Sequence, residues 1–196
     1  MYFVLRCPPI LNQNGELLVE IQNNDEVGDV WEWGSGDQFD EDEISSIPSP
    51  ISMEVEYYRA YEGLPNELRD IGVSVMSKRL KEALNKAGVD NIDFYPVILT
   101  HPESGRTFEY AAYNLIGKVA ATDLEQSEIV NYDNKLVADV GINKLVLDET
   151  KTNNLLMFRL AENLSTILIH ESVKKAIENS GIDTLTFIEP ENYMHL

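Results

Sequence analysis

Two stretches of the chain carry the same order of residue classes at a constant offset of 93 positions. Each begins with a short apolar run, continues with helical spacing of apolar residues, and then has a glycine, an aspartate and a second apolar run. The matched positions are Val75-Met76 with Leu168-Ile169, Leu80-Lys81 with Val173-Lys174, Ala83-Leu84 with Ala176-Ile177, Gly88-Val89-Asp90 with Gly181-Ile182-Asp183, and Ile92 and Phe94 with Leu185 and Phe187. The pattern predicts two copies of a strand–helix–strand unit. One such unit has too little apolar surface to bury alone, so the two are expected to share a core.

The first copy contains local signals for each element. Residues 72–76 have the composition of a strand, and Ser77 is a suitable N-cap for a helix with one apolar face. Gly88 marks the helix end. Residues 92–99 and 106–115 are predicted to form a hairpin around the turn at 102–105. Pro96 within the first of these strands favours an edge or a bulge.

The remaining chain predicts mainly strands, at 1–6, 17–22, 135–140, 142–147 and 155–160. With two helices, this is an α+β protein with mixed or antiparallel sheets. Residues 1–65 are predicted to be an acidic, strand- and loop-rich segment in which 23–50 is irregular. Residues 66–196 are predicted to form the repeat-containing domain, with copies at about 72–116 and 155–192 in one compact unit.

Negative charge is concentrated near the N-terminus. The chain has 34 acidic and 15 basic residues, a formal charge of −19. Residues 1–70 hold 16 acidic and 3 basic side chains. This field repels phosphate backbones and anionic lipids, so direct binding to nucleic acid or to a membrane is not expected. It favours a basic partner.

Residues typical of catalysis or metal binding do not form a recognisable motif. Cys7 is the single cysteine, which excludes a disulfide framework, and its acidic surroundings favour the unreactive thiol. The three histidines, His101, His170 and His195, lack metal-ligand spacing. The Gly34-Ser35-Gly36 stretch lacks the lysine of a phosphate loop. We therefore expect no cofactor, no metal and no enzymatic activity. The sequence has no export or membrane segment, so the cytoplasm is the expected location.

The segment 30–43 combines aromatic and acidic residues. Its candidate partner-binding residues are Trp31, Trp33, Asp37, Asp40, Glu41, Asp42 and Glu43. One interpretation is a solvated loop that its tryptophans anchor to the core. A second is a recognition surface in which aromatic anchors are ringed by carboxylates that meet Arg and Lys of a partner. Weak calcium binding is a third, although the segment lacks the register of an EF-hand.

Residues 75–97 and three later stretches (145–148, 156–162 and 169–177) resemble a bacterial family of polymorphic-toxin immunity proteins. This is the myxobacterial-type family, number eleven among immunity families and formerly a domain of unknown function. The likeness covers roughly 65–192 and includes Phe94, Pro96 and Val97 of a Phe-x-Pro-Val motif. His170-Glu171-Ser172 replaces the family's commoner Ser-Glu-Arg in the second copy.

The resemblance implies a stoichiometric inhibitor that binds and neutralises a cognate antibacterial toxin. It also implies interbacterial competition, with type VI secretion as a delivery route, and a basic toxin such as an HNH-type nuclease. The protein itself would be a monomer or a homodimer. The alternative is a small-molecule-binding module or minor enzyme with a pocket between the two repeats.

Overall fold

The computed structural model describes residues 1–22, 27–28, 30, 33–130 and 140–194. Within these ranges there are three α-helices, α1 (Glu41–Ser46), α2 (Lys78–Ala87) and α3 (Glu171–Asn179). The strands are β1 (Tyr2–Arg6), β2 (Val19–Ile21), β3 (Ile51–Tyr57), β4 (Leu68–Arg69), β5 (Val75–Ser77), β6 (Ile92–Thr100), β7 (Thr107–Leu115), β8 (Lys118–Val119), β9 (Glu128–Val130), β10 (Gly141–Lys144), β11 (Met157–Leu160), β12 (Asn163–His170) and β13 (Thr186–Ile188). Short 3-10 turns lie at Glu149–Lys151 and Pro190–Asn192.

Two larger sheets form the body of the protein. The first has the order β2-β3-β6-β7-β5-β4 and the second has the order β13-β1-β12-β11-β8, while β9 and β10 form a separate pair. Both larger sheets are mixed, because β3 runs parallel to β6 and β8 runs parallel to β11. The α+β class with mixed sheets and few helices is confirmed.

Each of the longer helices connects two strands that run parallel and are separated by one antiparallel strand. β7 lies between β5 and β6, and β1 lies between β12 and β13. The register is the same in both places: Val75 and Tyr95 both lie opposite Ala112 of β7, and Leu168 and Ile188 both lie opposite Val4 of β1. We call these the first unit (β5, α2, β6 and β7) and the second unit (β12, α3, β13 and β1). That they are copies of one sequence stays a prediction.

Both helices begin at the predicted positions. The Ser77 side chain caps α2 by accepting a hydrogen bond from the Leu80 N–H, and Gly88 ends the helix at φ 87°. The His170 side chain caps α3 by accepting from the Ser172 N–H. The apolar faces of α2 and α3 lie in one cluster, with Leu80, Leu84, Val173 and Ile177 all buried. One cluster of the core therefore takes residues from both units.

Some predicted elements differ from the observed ones. The 92–99 and 106–115 hairpin is confirmed as β6 and β7, but β6 is an interior strand and not an edge strand. Its pairing with β3 begins at Val97, one residue after Pro96, so the missing N–H does not interrupt that pairing. The 142–147 strand is the shorter β10, and the strand predicted at 135–140 falls mainly outside the described residues.

The acidic N-terminal segment contributes strands to both sheets. β1 pairs within the second unit, whereas β2 and β3 extend the first sheet beyond β6. Ile51, Met53 and Val55 of β3 are buried, and the residues between them are exposed. The domain boundary at residue 65 stays a prediction. Among the described helices, none is long and apolar enough to cross a membrane.

Candidate partner-binding surface

An aromatic cluster fixes the start of the acidic segment to the first unit. Trp33 is buried and its ring packs edge-on against Phe39, at 5.2 Å between centroids, and against Tyr95 of β6, at 5.5 Å. Phe39 is also buried and stacks on Tyr95. Burying two large aromatic side chains supplies several kcal/mol of apolar stabilisation, on the order of 2 or more per ring. Residues 33–39 are therefore attached to the first sheet at both of their ends.

Backbone hydrogen bonds hold the turn between those aromatic residues. The carbonyl of Gly36 accepts from the Gly117 N–H at 2.9 Å, and the carbonyl of Asp37 accepts from Asn114 Nδ2 at 2.8 Å. Gly36 has φ 79°, and a Cβ there would lie 3.2 Å from the Lys118 Cβ. Glycine is needed because the turn is left-handed and lies close to β8.

Beneath this turn lies a buried ion pair that joins the two sheets. Arg159 of β11 donates two hydrogen bonds of 2.7 Å to the carboxylate of Asp70, which follows β4. Burial alone would raise the pKa of Asp70, but the hydrogen bonds and positive charge of Arg159 outweigh it and lower that pKa. A Cβ on Gly34 would lie 3.8 Å from the guanidinium carbon, so the acidic segment passes directly over Arg159.

The acidic run itself forms the start of helix α1. Asp40 is the N-cap: its carboxylate accepts from the Glu43 N–H, and the Glu43 carboxylate accepts from the Asp40 N–H, both at 2.8 Å. This capping box satisfies two backbone donors, and the positive end of the helix stabilises nearby carboxylates. The sequence pattern Asp-x-x-Glu at 40–43 was the signal for this helix, within a stretch predicted to be irregular.

The acidic residues therefore fall into different roles. Asp40 and Glu43 hold the helix start, and Asp37 forms an ion pair with Lys118 at 2.7 Å. Glu41 and Asp42 are exposed, and within the described part of the chain neither forms a salt bridge. Their side chains are therefore open to solvent.

The structure brings most of the predicted binding residues together. Asp37, Asp40, Glu41, Asp42 and Glu43 lie on one continuous segment. Trp33 is in the core, which fits the anchoring interpretation, and its contact with a partner stays a prediction. Trp31 lies outside the described residues.

The residues that support the segment were not identified from the sequence. They are Asn114, Lys118 and Arg159, together with Tyr95 and Asp70. They come from four distant parts of the chain, and only the glycines at 34 and 36 hinted at a close approach. Among the residues that the structure describes, no group of three or more His, Cys, Asp or Glu side chains could hold a metal ion.

A cleft of about 460 Å³ opens beside the Arg159–Asp70 ion pair, and Asp70 is one of its lining residues. Leu5 and Ile167 of the second sheet form one side of it, and Val19 and Leu68 of the first sheet form the other. The cleft therefore lies between the two sheets.

Comparison with known protein families identifies the class of protein that this fold and surface represent. The family model described as "Immunity protein family (Imm11)" matches residues 9–192. The chain belongs to this immunity protein family, as the sequence resemblance indicated. No curated protein sequence matches the chain.

Proposed function

We propose that this protein neutralises a cognate antibacterial toxin by forming a tight, stoichiometric complex with it, and that it has no catalytic activity of its own. Membership of the immunity family supports the inhibitor role. The observation that carries the choice of surface is a pair of exposed carboxylates, Glu41 and Asp42, that form no salt bridge with any described residue. They lie on a segment that Trp33 and Phe39 fix to the core. We call residues 33–43 the acidic platform. Because this segment is fixed to the core, the conformational cost of binding is low, and its charge steers a basic partner.

The toxin is proposed to be a basic nuclease, for example of the HNH type, delivered between competing bacteria by type VI secretion. A nuclease surface must be positive to hold phosphates, so a −19 protein with surface carboxylates is complementary to it. The complex would form in the cytoplasm of the protected cell, with this protein as a monomer or a homodimer.

Capture of the partner tests the inhibitor role. The tagged protein is expressed in its native cell and captured at low salt, and the co-purifying polypeptide is identified and assayed for hydrolysis of DNA and RNA. We expect one basic polypeptide at a one-to-one ratio, released by high salt, with hydrolysis suppressed while it is bound. A protein recovered without a stoichiometric partner would contradict the proposal.

A matched pair of variants tests the surface. Glu41→Gln/Asp42→Asn removes two exposed charges from the acidic segment. The control, Asp183→Asn/Glu191→Gln, removes two exposed charges on either side of β13. With the captured partner, the first variant is expected to slow association by roughly threefold to tenfold at low salt, and the second to leave it unchanged. Equal rates for both variants would show that the platform is not the binding surface. Trp31→Ala is expected to act on dissociation instead, because aromatic anchors contribute mainly after encounter.

The alternative is a small-molecule-binding module. The cleft favours it, because its volume lies in the range of ligand pockets, roughly 300–1,000 Å³. Thermal stabilisation of the purified protein by a metabolite, with no protein partner captured, would support this alternative.

We further propose that the first and second units are copies of one ancestral unit within a single compact domain. Their common register and the equivalent placement of Ser77 and His170 support this.

A further inference from the structure

We propose that the cleft between the two sheets is a docking site for an extended segment of a protein partner, which adds as a β-strand to the edge strand β2. The proposal rests on the proposed function only in taking that partner to be the toxin. It adds a second contact surface, distinct from the acidic platform, with a different mode of recognition.

The first observation is that the two edges of one sheet face the same cleft. β2 and β4 are the terminal strands of the first sheet, and both line the cleft. Three consecutive residues of β2, Val19, Glu20 and Ile21, line it. Side chains alternate along a strand, so lining by consecutive residues indicates that β2 presents its edge and not a face.

The second observation concerns the backbone groups of β2. The Leu18 carbonyl accepts from the Tyr58 N–H, and the Gln22 N–H donates to the Glu54 carbonyl, both at 2.9 Å. In an antiparallel ladder, bonded residues alternate with unbonded ones, so the backbone groups of Val19 and Ile21 point away from β3. Within the described part of the chain, no strand pairs with β2 on that side. Such an edge is a template for another strand.

β4 forms the opposite wall of the cleft, but its edge is already in contact with Cys7. The Glu67 carbonyl accepts from the Ser77 N–H at 2.8 Å, and Leu68 lies opposite Met76. By the same alternation, the backbone N–H of Leu68 points away from β5, where it interacts with the Cys7 thiol. An added strand is therefore expected to pair with β2 alone. Leu5 and Ile167 provide an apolar base for alternate side chains of an incoming strand.

Charge around the cleft favours a strand with basic residues on its outer face. Glu20 lies directly opposite Glu56 on the exposed face of β2 and β3, and Glu54 follows on the same face. The Tyr58 hydroxyl donates to the carboxylates of Glu56 and Glu20, and these bonds raise the pKa of Tyr58 to about 12. Like charges directly opposite each other are unfavourable, and lysine or arginine from an added strand would relieve this repulsion.

Cys7 offers a direct reporter for the cleft. It is the single cysteine of the chain and lines the cleft beside Leu68. Burial raises the pKa of its thiol, so its reaction with a maleimide is slow but specific to this position.

The experiment uses the full-length protein and a synthetic heptapeptide that alternates lysine and valine. Saturating peptide is expected to slow modification of Cys7 by about tenfold and to protect the amides of Val19 and Ile21 from hydrogen exchange. N-methylation of the peptide backbone at every second residue is the matched control. Methylation of the peptide N–H groups that face β2 should weaken binding by about fivefold for each lost hydrogen bond. Methylation of the N–H groups that face away from β2 should leave binding unchanged.

Several results would overturn the proposal. The first is that the peptide changes neither the rate of Cys7 modification nor the exchange of the Val19 and Ile21 amides. The second is that both N-methylated peptides bind equally well, which would indicate an apolar groove without strand pairing. With the captured toxin, prior labelling of Cys7 by a bulky maleimide is expected to abolish the complex, while the Cys7→Ser protein treated in the same way still binds. Binding that survives the label would also overturn it. Strand binding by a protein that neutralises no toxin would retain the docking site and remove only the toxin assignment.

Discussion

The first and second units share one architecture but obtain their middle strand in different ways. In the first unit, β7 follows β6 through a short hairpin, so the unit is continuous from 75 to 115. In the second unit, the middle strand is β1, at the opposite end of the chain from β12 and β13. The first unit can therefore form from local contacts, whereas the second depends on joining the two ends of the chain.

The two units also differ in what their surfaces carry. Tyr95 of β6 supports Trp33 and Phe39 and hence the acidic platform. The position equivalent to Tyr95 in the second unit is Ile188, which packs in a cluster with Tyr2 and Tyr193. One aromatic residue in place of an aliphatic one thus provides a support for the acidic segment that begins at Trp33. The same framework can be specialised by changes at few positions.

The largest expected effect comes from breaking the link between the sheets. Arg159→Leu leaves the mostly buried carboxylate of Asp70 without its positive partner, although the hydroxyls of Ser74 and Tyr113 still donate to it. We expect the free energy of unfolding to fall by about 3–5 kcal/mol. Urea denaturation measures this. The double variant Arg159→Leu/Asp70→Leu should lose less, since it leaves no buried charge. An equal or larger loss in the double variant would contradict this explanation.

The same ion pair predicts a dependence on pH. The folded-state pKa of Asp70 is lowered, so its contribution is complete above the unfolded value near 3.9 and is lost as pH falls through the folded value. Stability of the wild-type protein should therefore decline below about pH 4 more steeply than that of Asp70→Asn. Parallel curves for the two proteins would rule out this contribution.

Substitution of the helix N-caps compares the two units directly and is expected to have an intermediate effect on the free energy of unfolding. Ser77 accepts from the Leu80 N–H and also donates to the buried carboxylate of Glu67, whereas His170 caps α3 through a longer bond of 3.3 Å to the Ser172 N–H. We expect Ser77→Ala to cost about 2 kcal/mol of unfolding free energy and His170→Ala less than about 1. His170→Ser would be neutral or stabilising in thermal unfolding. A greater loss at His170 than at Ser77 would reverse the ranking.

The smallest difference between the two units is expected at the glycines that follow their helices. Gly88 and Gly181 have φ 87° and 77°, and an added Cβ would meet only Leu156 at 3.8 Å in the first case and nothing within 4 Å in the second. Alanine at either position should therefore cost about 1–2 kcal/mol from backbone strain alone. Thermal unfolding of both variants should show equal losses, and a difference between them would reveal a tertiary contribution in one unit.

Elements with strong local signals were predictable from the sequence. Ser77, Gly88 and the apolar face of α2 specified a helix, and the turn at 102–105 specified a hairpin. Strand β3 was not predicted, although the alternation of Ile51, Met53 and Val55 with polar residues is an equally clear strand signal. Helix α1 was missed because its six residues are too short for a periodic pattern, although its capping box was present.

Long-range pairing was not predictable, because it depends on contacts between distant residues. Nothing local to residues 2–6 indicates that β1 lies between β12 and β13, and nothing near Pro96 indicates that β3 adds beyond it. The same applies to the candidate surface. Its acidic residues were evident from composition, but the division between Asp40 and Glu43 as capping residues and Glu41 and Asp42 as outward residues required the structure.

The position of β1 has a consequence for synthesis of the protein. Residues 2–6 leave the ribosome well before the strands on both sides of them, 163–170 and 186–188, have been made. Until those strands are made, the apolar strand that contains Val4 and Leu5 is unpaired. Exposed strands of this kind are prone to aggregation or to binding by chaperones. The nascent chain therefore completes its second sheet only after β13 has been synthesised. A truncated message could not yield that sheet.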